Sequence, residues 1–330
     1  MSATPVVPPS PTSADQSDPG GVWAPLRRRF PVGLRGLTWA TTGALIVSML
    51  IMVTGSLVRT TGSGLGCSEW PKCTEDSVWT TPEMGIHGAI EFGNRMITWL
   101  LVVMVAWVII AANLQRRPDR TVTRLGWAMF WLVVLNAVLG GITVWTGLNP
   151  YIVAVHFLAA TAMLTAAVLA WNRTRVIAHG PPAPVSARAS KLARLLMGAT
   201  AVLVVAGTVD TGTGPHTGDE GEIMRMPLDW LTVTWVHGLI AGAVLVIAVV
   251  LWGALGPEET TARFRVGVFL AVLIGQGAVG VSQSLLELPA GLINLHILGA
   301  VLVWVGAMRL VLDTPSHAGA PAAPDTVNAS

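Results

Sequence analysis

Charge is what this chain of 330 residues has least of: Asp, Glu, Lys and Arg together make up 12% of it, against 52% hydrophobic residues. A soluble domain carries about 25% charged residues. Eight apolar runs, at about 37–58, 88–112, 125–146, 151–171, 192–209, 230–255, 266–285 and 291–312, reach or approach the roughly 20 residues that cross a bilayer. Helices apolar all round belong in lipid or in a large core. A soluble chain of this length has no core that could bury eight of them. The expected fold is all-α and integral to the membrane, with the lipid bilayer as its solvent.

Cysteine is nearly absent too. Cys67 and Cys73 lie together in GLGCSEWPKC, in the outer loop between the first two spans. Two thiols leave a tetrahedral metal half-coordinated. A close pair on the oxidising side of a membrane favours a disulfide, with free thiols as the alternative. A phosphate loop is missing, because the GSGLG run at 62–66 is followed by no helix opening with Lys-Ser/Thr. The first span is too long for a signal-peptide core and lacks a small-residue cleavage motif after it, so it is expected to be retained.

The few charges are unevenly placed. Arg27, Arg28, Arg29 and Arg35 precede the first span. Arg116, Arg117, Arg120 and Arg124 follow the second, and Arg173, Arg175, Arg188, Lys191 and Arg194 surround the loop after the fourth. Arg263 and Arg265 follow the sixth, and Arg309 lies near the end of the eighth. The opposite loops hold only Arg59, Lys72 and Arg225. The positive-inside bias predicts a multi-pass protein of the cell membrane with both termini in the cytoplasm. Basic residues that recur at alternate loops form no single patch, which excludes a nucleic-acid surface. Residues 1–36 and 313–330 are expected to be disordered cytoplasmic tails. Residues 172–191, which include HGPPAPV, are expected to form a cytoplasmic linker. Between these lie two regions of four spans each, 37–171 and 192–312.

The two regions repeat one another. The stretch from Asn136 to His156 recurs without a gap, 140 residues later, from Gln276 to His296. GSLVRTTGSG (55–64) and GTVDTGTGPH (207–216) close the first span of each half in the same way. Matching AIEFGNRM (89–96) to TVTWVHGL (232–239) sets Asn94 opposite His237. Four is an even number, so both halves enter the membrane from the same side. The prediction is two tandem four-helix bundles related by a pseudo-two-fold axis along the membrane normal, which disfavours an inverted-repeat transporter. His156, His237 and His296 each fall six or seven residues into an inward-running span, roughly 10 Å below the outer boundary at 1.5 Å per residue.

Ionisable groups inside a span are costly and mark function. His237 and His296 share one half and one depth. Paired imidazoles of this kind suit the axial positions of an iron porphyrin held in a bundle. For a single histidine, a hydrogen bond to a neighbouring helix is the competing reading. The N-terminal half keeps His156 but has Asn94 in place of the partner, and it adds Glu91 and Arg95. His87, Glu91, Asn94 and Arg95 follow i, i+4, i+7, i+8 spacing and share a helical face. An acid beside a weakly held iron can steer a proton or stabilise a developing cation. Thr234 stands opposite Glu91, so the second half reads as having two histidines and no acid. Asn136 and Gln276 are expected to hydrogen-bond between helices. The 14 tryptophans read mostly as interfacial anchors.

GSLVRTTGSGLGCSEWPKC, IEFGNR, the three histidines and GTGPHTGD (212–219) together resemble the heme A synthase family over about 37–312. The resemblance implies an eight-helix protein in which heme b is bound in the C-terminal half, here by His237 and His296. It implies that the N-terminal half receives heme O as substrate. There the C8 methyl is oxidised twice, and a gem-diol loses water to give the formyl group of heme A, the cofactor of aa3-type oxidases. The family's catalytic glutamate matches Glu91, its disulfide matches Cys67 and Cys73, and its substrate-iron histidine matches His156. Many members have histidine where this chain has Asn94, which points to an actinobacterial-like variant. Ligation by His156 alone, with Asn94 and Arg95 near the heme, is the expected arrangement, and His87 is the alternative ligand. The implied partners are a heme O synthase (farnesyltransferase) as donor, cytochrome oxidase assembly factors and an unidentified electron acceptor; a homo-oligomer is compatible with the resemblance. A membrane heme b cytochrome that only passes electrons, and a heme carrier, are the competing functions.

Overall fold

The computed structural model describes residues 21–219, 221 and 223–316. Among the described residues there are nine α-helices and no strand. A short helix, α1 (Ala24–Arg29), precedes eight long ones: α2 (Leu34–Thr60), α3 (Gly85–Asn113), α4 (Arg120–Trp145), α5 (Pro150–His179), α6 (Ala187–Thr213), α7 (Trp230–Ala254), α8 (Thr260–Leu285) and α9 (Ala290–Asp313). All eight are long and apolar enough to cross a membrane. The protein is a multi-pass membrane helix bundle.

Local chemistry sets several helix starts. Asp119 accepts from the Val122 amide at 3.0 Å, Ser186 from Ala189 at 3.2 Å and Asp229 from Thr232 at 2.8 Å. Asn149 accepts from Tyr151 at 3.0 Å, with Pro150 at the first helical position. Each side-chain oxygen satisfies an amide that the first turn leaves unpaired.

Two expectations about boundaries change. Helix α5 continues to His179 and α6 begins at Ala187, so the linker expected over 172–191 shrinks to 180–186. The apolar run ends near 171 because Asn172, Arg173 and Arg175 are polar, yet these residues have no helix-breaking chemistry. Gly180, at φ 83°, and the prolines after it end the helix. The tails are also shorter than expected. Residues 24–29 are helical, 34–36 belong to α2, and Asp313 ends α9. Residues 1–20 and 317–330, the remainder of both expected tails, lie outside the described residues.

Each half closes into a ring. Helices α2, α3, α4 and α5 touch in succession and α5 returns to α2; α6, α7, α8 and α9 do the same. Each half has its own apolar core, around Leu37, Val105, Met129 and Leu164 in the first and Leu196, Val244, Val266 and Leu310 in the second. The rings meet through α2 on α9 and through α5 on α6 and α9. Many large apolar side chains point away from both cores, such as Trp235 at 68% and Leu239 at 71% exposure, which suits a lipid-facing surface.

The 140-residue offset holds in the backbone. The α4–α5 turn places Gly147 and Leu148 at φ 58° and 60°, and the α8–α9 turn places Glu287 and Leu288 at 59° and 60°. Leu148 donates to the Thr143 carbonyl at 2.9 Å, and Leu288 to the Gln283 carbonyl at 2.8 Å. Matched adjacency and matched turns are what a pseudo-two-fold axis along the bundle would produce.

Candidate functional site

The loop between α2 and α3 folds down onto α3. Cys67 and Cys73 form a disulfide. Gly66 lies where any side chain would run into the backbone of His87, so the loop can rest on the first turn of α3. Glu91, 6% exposed, faces this loop. Its Oε2 accepts from the Cys67 amide at 2.6 Å, and its Oε1 pairs with Arg95 Nη2 at 2.5 Å. Arg95 Nη1 also donates to the carbonyls of Glu69 at 3.1 Å and Lys72 at 2.8 Å. Glu91 and Arg95 thus hold both sides of the disulfide loop. A buried carboxylate needs such paired donors to stay affordable. Between the cysteines, Trp70 lies flat enough on α4 that a Cβ at Gly141 would come within 2.7 Å of its ring, and its edge meets Trp145 at 5.6 Å.

Asn94, one turn below Glu91, accepts from Thr54 Oγ1 of α2 at 2.8 Å. His156 lies on α5 against α4, where a Cβ at Gly140 would stand 3.4 Å from its Cε1. His87 sits higher, with Nδ1 3.0 Å from Ser63 Oγ. That bond ties its ring to the loop between α2 and α3.

In the second half His237 and His296 face each other, with ring centroids 6.4 Å apart and planes at 63°. Each ring rests on a glycine. A Cβ at Gly207 would lie 3.2 Å from His237 Cε1, and one at Gly280 would lie 3.1 Å from His296 Cε1. Gly280 is Gly140 shifted by the repeat. The Nδ1 atoms of both rings are buried without a hydrogen-bond partner. Gln276 donates across to the His296 carbonyl at 2.7 Å, as expected for an interhelical amide. Asn136 does not. It donates to Leu132 of its own helix at 2.8 Å and leaves Oδ1 buried and unpartnered. Its side chain is one methylene shorter than glutamine and does not bridge the gap.

The second half also has an acid, contrary to the sequence expectation. Asp210 Oδ1 of α6 accepts from Thr234 Oγ1 of α7 at 2.8 Å. Thr234 matches Glu91, and Asp210 matches Val58 in the 55–64/207–216 correspondence. Each half therefore has a carboxylate close to the matched pair of positions, on the second helix in one half and on the first helix in the other. That correspondence contained the signal. Arg59 crosses between the rings and donates to the Thr211 carbonyl at 2.8 Å. Gly64 donates to the Gly218 carbonyl at 2.7 Å, and Asn294 to Thr60 Oγ1 at 2.8 Å. The α2–α3 and α6–α7 loops thus meet over the joint between the rings.

Two rings of membrane-length helices, one with a facing histidine pair and the other with a buried carboxylate under a disulfide loop, define a multi-pass membrane protein. The chain belongs to the cytochrome oxidase assembly protein family, whose model matches residues 38–308. Among curated relatives, "Heme A synthase" of Lysinibacillus sphaericus (strain C3-41) is 30% identical over 123 residues, 37% of this chain and 39% of the relative. That of Geobacillus thermodenitrificans is 31% identical over 115 residues, 34% and 35% of the two chains. That of Bacillus pumilus (strain SAFR-032) is 31% identical over 148 residues, 43% and 46%. Each match spans less than half the length of the relative.

Proposed function

We propose that this protein is a heme A synthase. On this reading heme O enters the first ring and its C8 methyl is oxidised twice to a formyl group, while heme b is held in the second ring. Both termini lie in the cytoplasm and both sites lie toward the outer face. The observation that carries the reading is the inequality of the two sites. One has two facing imidazoles, and the other has one imidazole with a buried carboxylate clamped under a disulfide loop.

The fit to a porphyrin iron rests on the imidazole pair. If heme b is bound, His237 and His296 would be the residues that hold its iron, because paired neutral imidazoles suit a porphyrin iron carried in a helix bundle. His237 and His296 stand 6.4 Å apart. Neither ring has a hydrogen bond among the described residues that ligation would break. When bound, heme b supplies one-electron transfer toward an electron acceptor. Gly207 and Gly280 let the rings sit close to the opposing helices, and Gln276 fixes the backbone at His296.

In the first ring His156 is the protein's ligand to the substrate iron. Asn94, held by Thr54, would lie near the substrate heme. Glu91 is the group that takes up a proton or stabilises positive charge as the methyl is oxidised. Arg95 is a positioning residue: it holds Glu91 and the loop together. A heme O synthase, as donor, and cytochrome oxidase assembly factors are the natural partners.

Extraction and chromatography of the hemes from purified protein test the reading. Heme B together with heme O or heme A is expected. Heme B alone, in two equivalents, would instead make the protein an electron-passing cytochrome. The disulfide gives a second test. Its cysteines are 6 residues apart, and a loop that short contributes about 2 kcal/mol. Cys73→Ser should lower stability by about that much, yet lower the heme A to heme O ratio further, because the Cys67 amide holds Glu91. An unchanged ratio in the folded variant would assign the disulfide to stability alone.

A further inference from the structure

At the end of the bundle away from the disulfide, one carboxylate is shared by three arginines. Asp313, 3% exposed in the last turn of α9, receives Arg175 of α5 on Oδ1 at 3.2 Å. Arg265 of α8 and Arg309 of α9 meet its Oδ2 at 2.9 and 2.8 Å. Helix α5 belongs to the first ring, and α8 and α9 to the second, so the cluster lies across the joint. Three positive charges face one negative charge. The nearby Asp119 is already engaged by Arg173, at 2.7 Å.

The guanidiniums are held in place but not used up. Trp171 lies 5.3 Å from Arg175 Cζ and 4.8 Å from Arg309 Cζ, which orients both through their cation–π faces. The three side chains remain 26%, 26% and 24% exposed. Each guanidinium has five N–H donors, and Asp313 takes only a fraction of them. Like charges crowded at partial burial are unfavourable unless an anion joins them. Arg175 lies one turn before the end of α5, Arg309 one turn before the end of α9, and Arg265 in the second turn of α8. That depth is where a bilayer places its phosphates. Forked, partly dry donors suit a phosphate group. Basic pockets between membrane helices take anionic headgroups.

We propose that Arg175, Arg265 and Arg309, held in register by Asp313, form a binding site for the phosphate of an anionic phospholipid. The lipid joins the two rings at the basic face of the protein. This inference does not depend on the heme reading.

The test uses the full chain in nanodiscs of phosphatidylcholine with increasing phosphatidylglycerol, read by the thermal unfolding midpoint. The wild type should gain a rise that saturates at a low mole fraction of phosphatidylglycerol. Arg265→Gln/Arg309→Gln should lose that rise, while Arg116→Gln/Arg117→Gln, which removes two exposed loop charges, should keep it. Asp313→Asn should be less stable than the wild type in pure phosphatidylcholine and should need a higher mole fraction of phosphatidylglycerol to saturate the rise, since the carboxylate that holds the three arginines in register is gone. An equal rise in the Arg265/Arg309 variant, or no saturable rise in the wild type, would overturn the site. A matching rise from inorganic phosphate in phosphatidylcholine discs would overturn the lipid assignment.

Discussion

His296→Ala is expected to abolish the low-spin heme b spectrum of the purified protein, and His237→Ala is expected to do the same. Each ring is half of a facing pair at 6.4 Å, and a low-spin heme b iron would need both imidazoles as strong ligands. The fold should survive the change. His237 and His296 make no side-chain hydrogen bond among the described residues, and the interhelical bond at this level runs from Gln276 to the His296 backbone carbonyl, which alanine keeps. If the histidines were only interhelical glue, their ring nitrogens would have partners; instead both Nδ1 atoms are buried without one. Absorption and electron paramagnetic resonance spectra of the purified variants check the outcome. A retained bis-imidazole spectrum in either variant would remove that residue from the ligand set. The same logic reaches the glycines. A bulky residue at Gly280 would displace the His296 ring, because a Cβ there already approaches Cε1 to 3.1 Å.

Much of this architecture was legible in the sequence, because a bilayer forces apolar runs into helices. Every run expected to span has its helix, and the 140-residue offset reappears as paired left-handed turns at Leu148 and Leu288. The disulfide between Cys67 and Cys73 followed from compartment and spacing. What hydropathy could not reveal were the polar continuations and the contacts between helices. Helix α5 outlasts its apolar run by two turns, because the polar Asn172, Arg173 and Arg175 end the apolar run without ending the helix. The acid of the second half was missed because Asp210 meets Thr234 only once α6 and α7 are in register. The clamp of Glu91 to the Cys67 amide was hidden for the same reason: it joins a helix to a loop whose path the sequence does not specify. Asn136 and Gln276 look equivalent in the repeat, yet a single methylene decides which one crosses to the next helix.

Asp210 refines where the asymmetry lies. Both rings have a carboxylate near the end that carries the disulfide loop, so an acid as such does not distinguish the proposed substrate site from the proposed redox site. What differs is the partner. Asp210 accepts from a neutral hydroxyl on the adjoining helix, with the buried Arg59 at the joint between the rings as its charged neighbour. Glu91 is tied to a loop amide and to a cation that itself grips the loop. Movement of the disulfide loop would therefore reach Glu91 directly, whereas Asp210 is braced between two helices.

From this follows the expectation for Glu91→Gln: heme A formation should fall by about 10²–10⁴-fold, the range lost with a positioned acid–base group. The variant keeps the side-chain shape and an acceptor oxygen for the Cys67 amide but loses the charge. Glu91→Ala should fall at least as far, and it should also be less stable because Arg95 loses its carboxylate. The glutamine variant separates chemistry from folding. Its heme b spectrum should match that of the wild type, because His237 and His296 lie in the other ring, and heme O should accumulate on the protein in place of heme A. Quantifying hemes A, O and B extracted from each purified variant checks all three statements together. Wild-type levels of heme A from Glu91→Gln would mean that a neutral acceptor suffices at this position. Glu91 would then be a clamp for the disulfide loop, and the proton-handling role would have to be assigned elsewhere in the first ring.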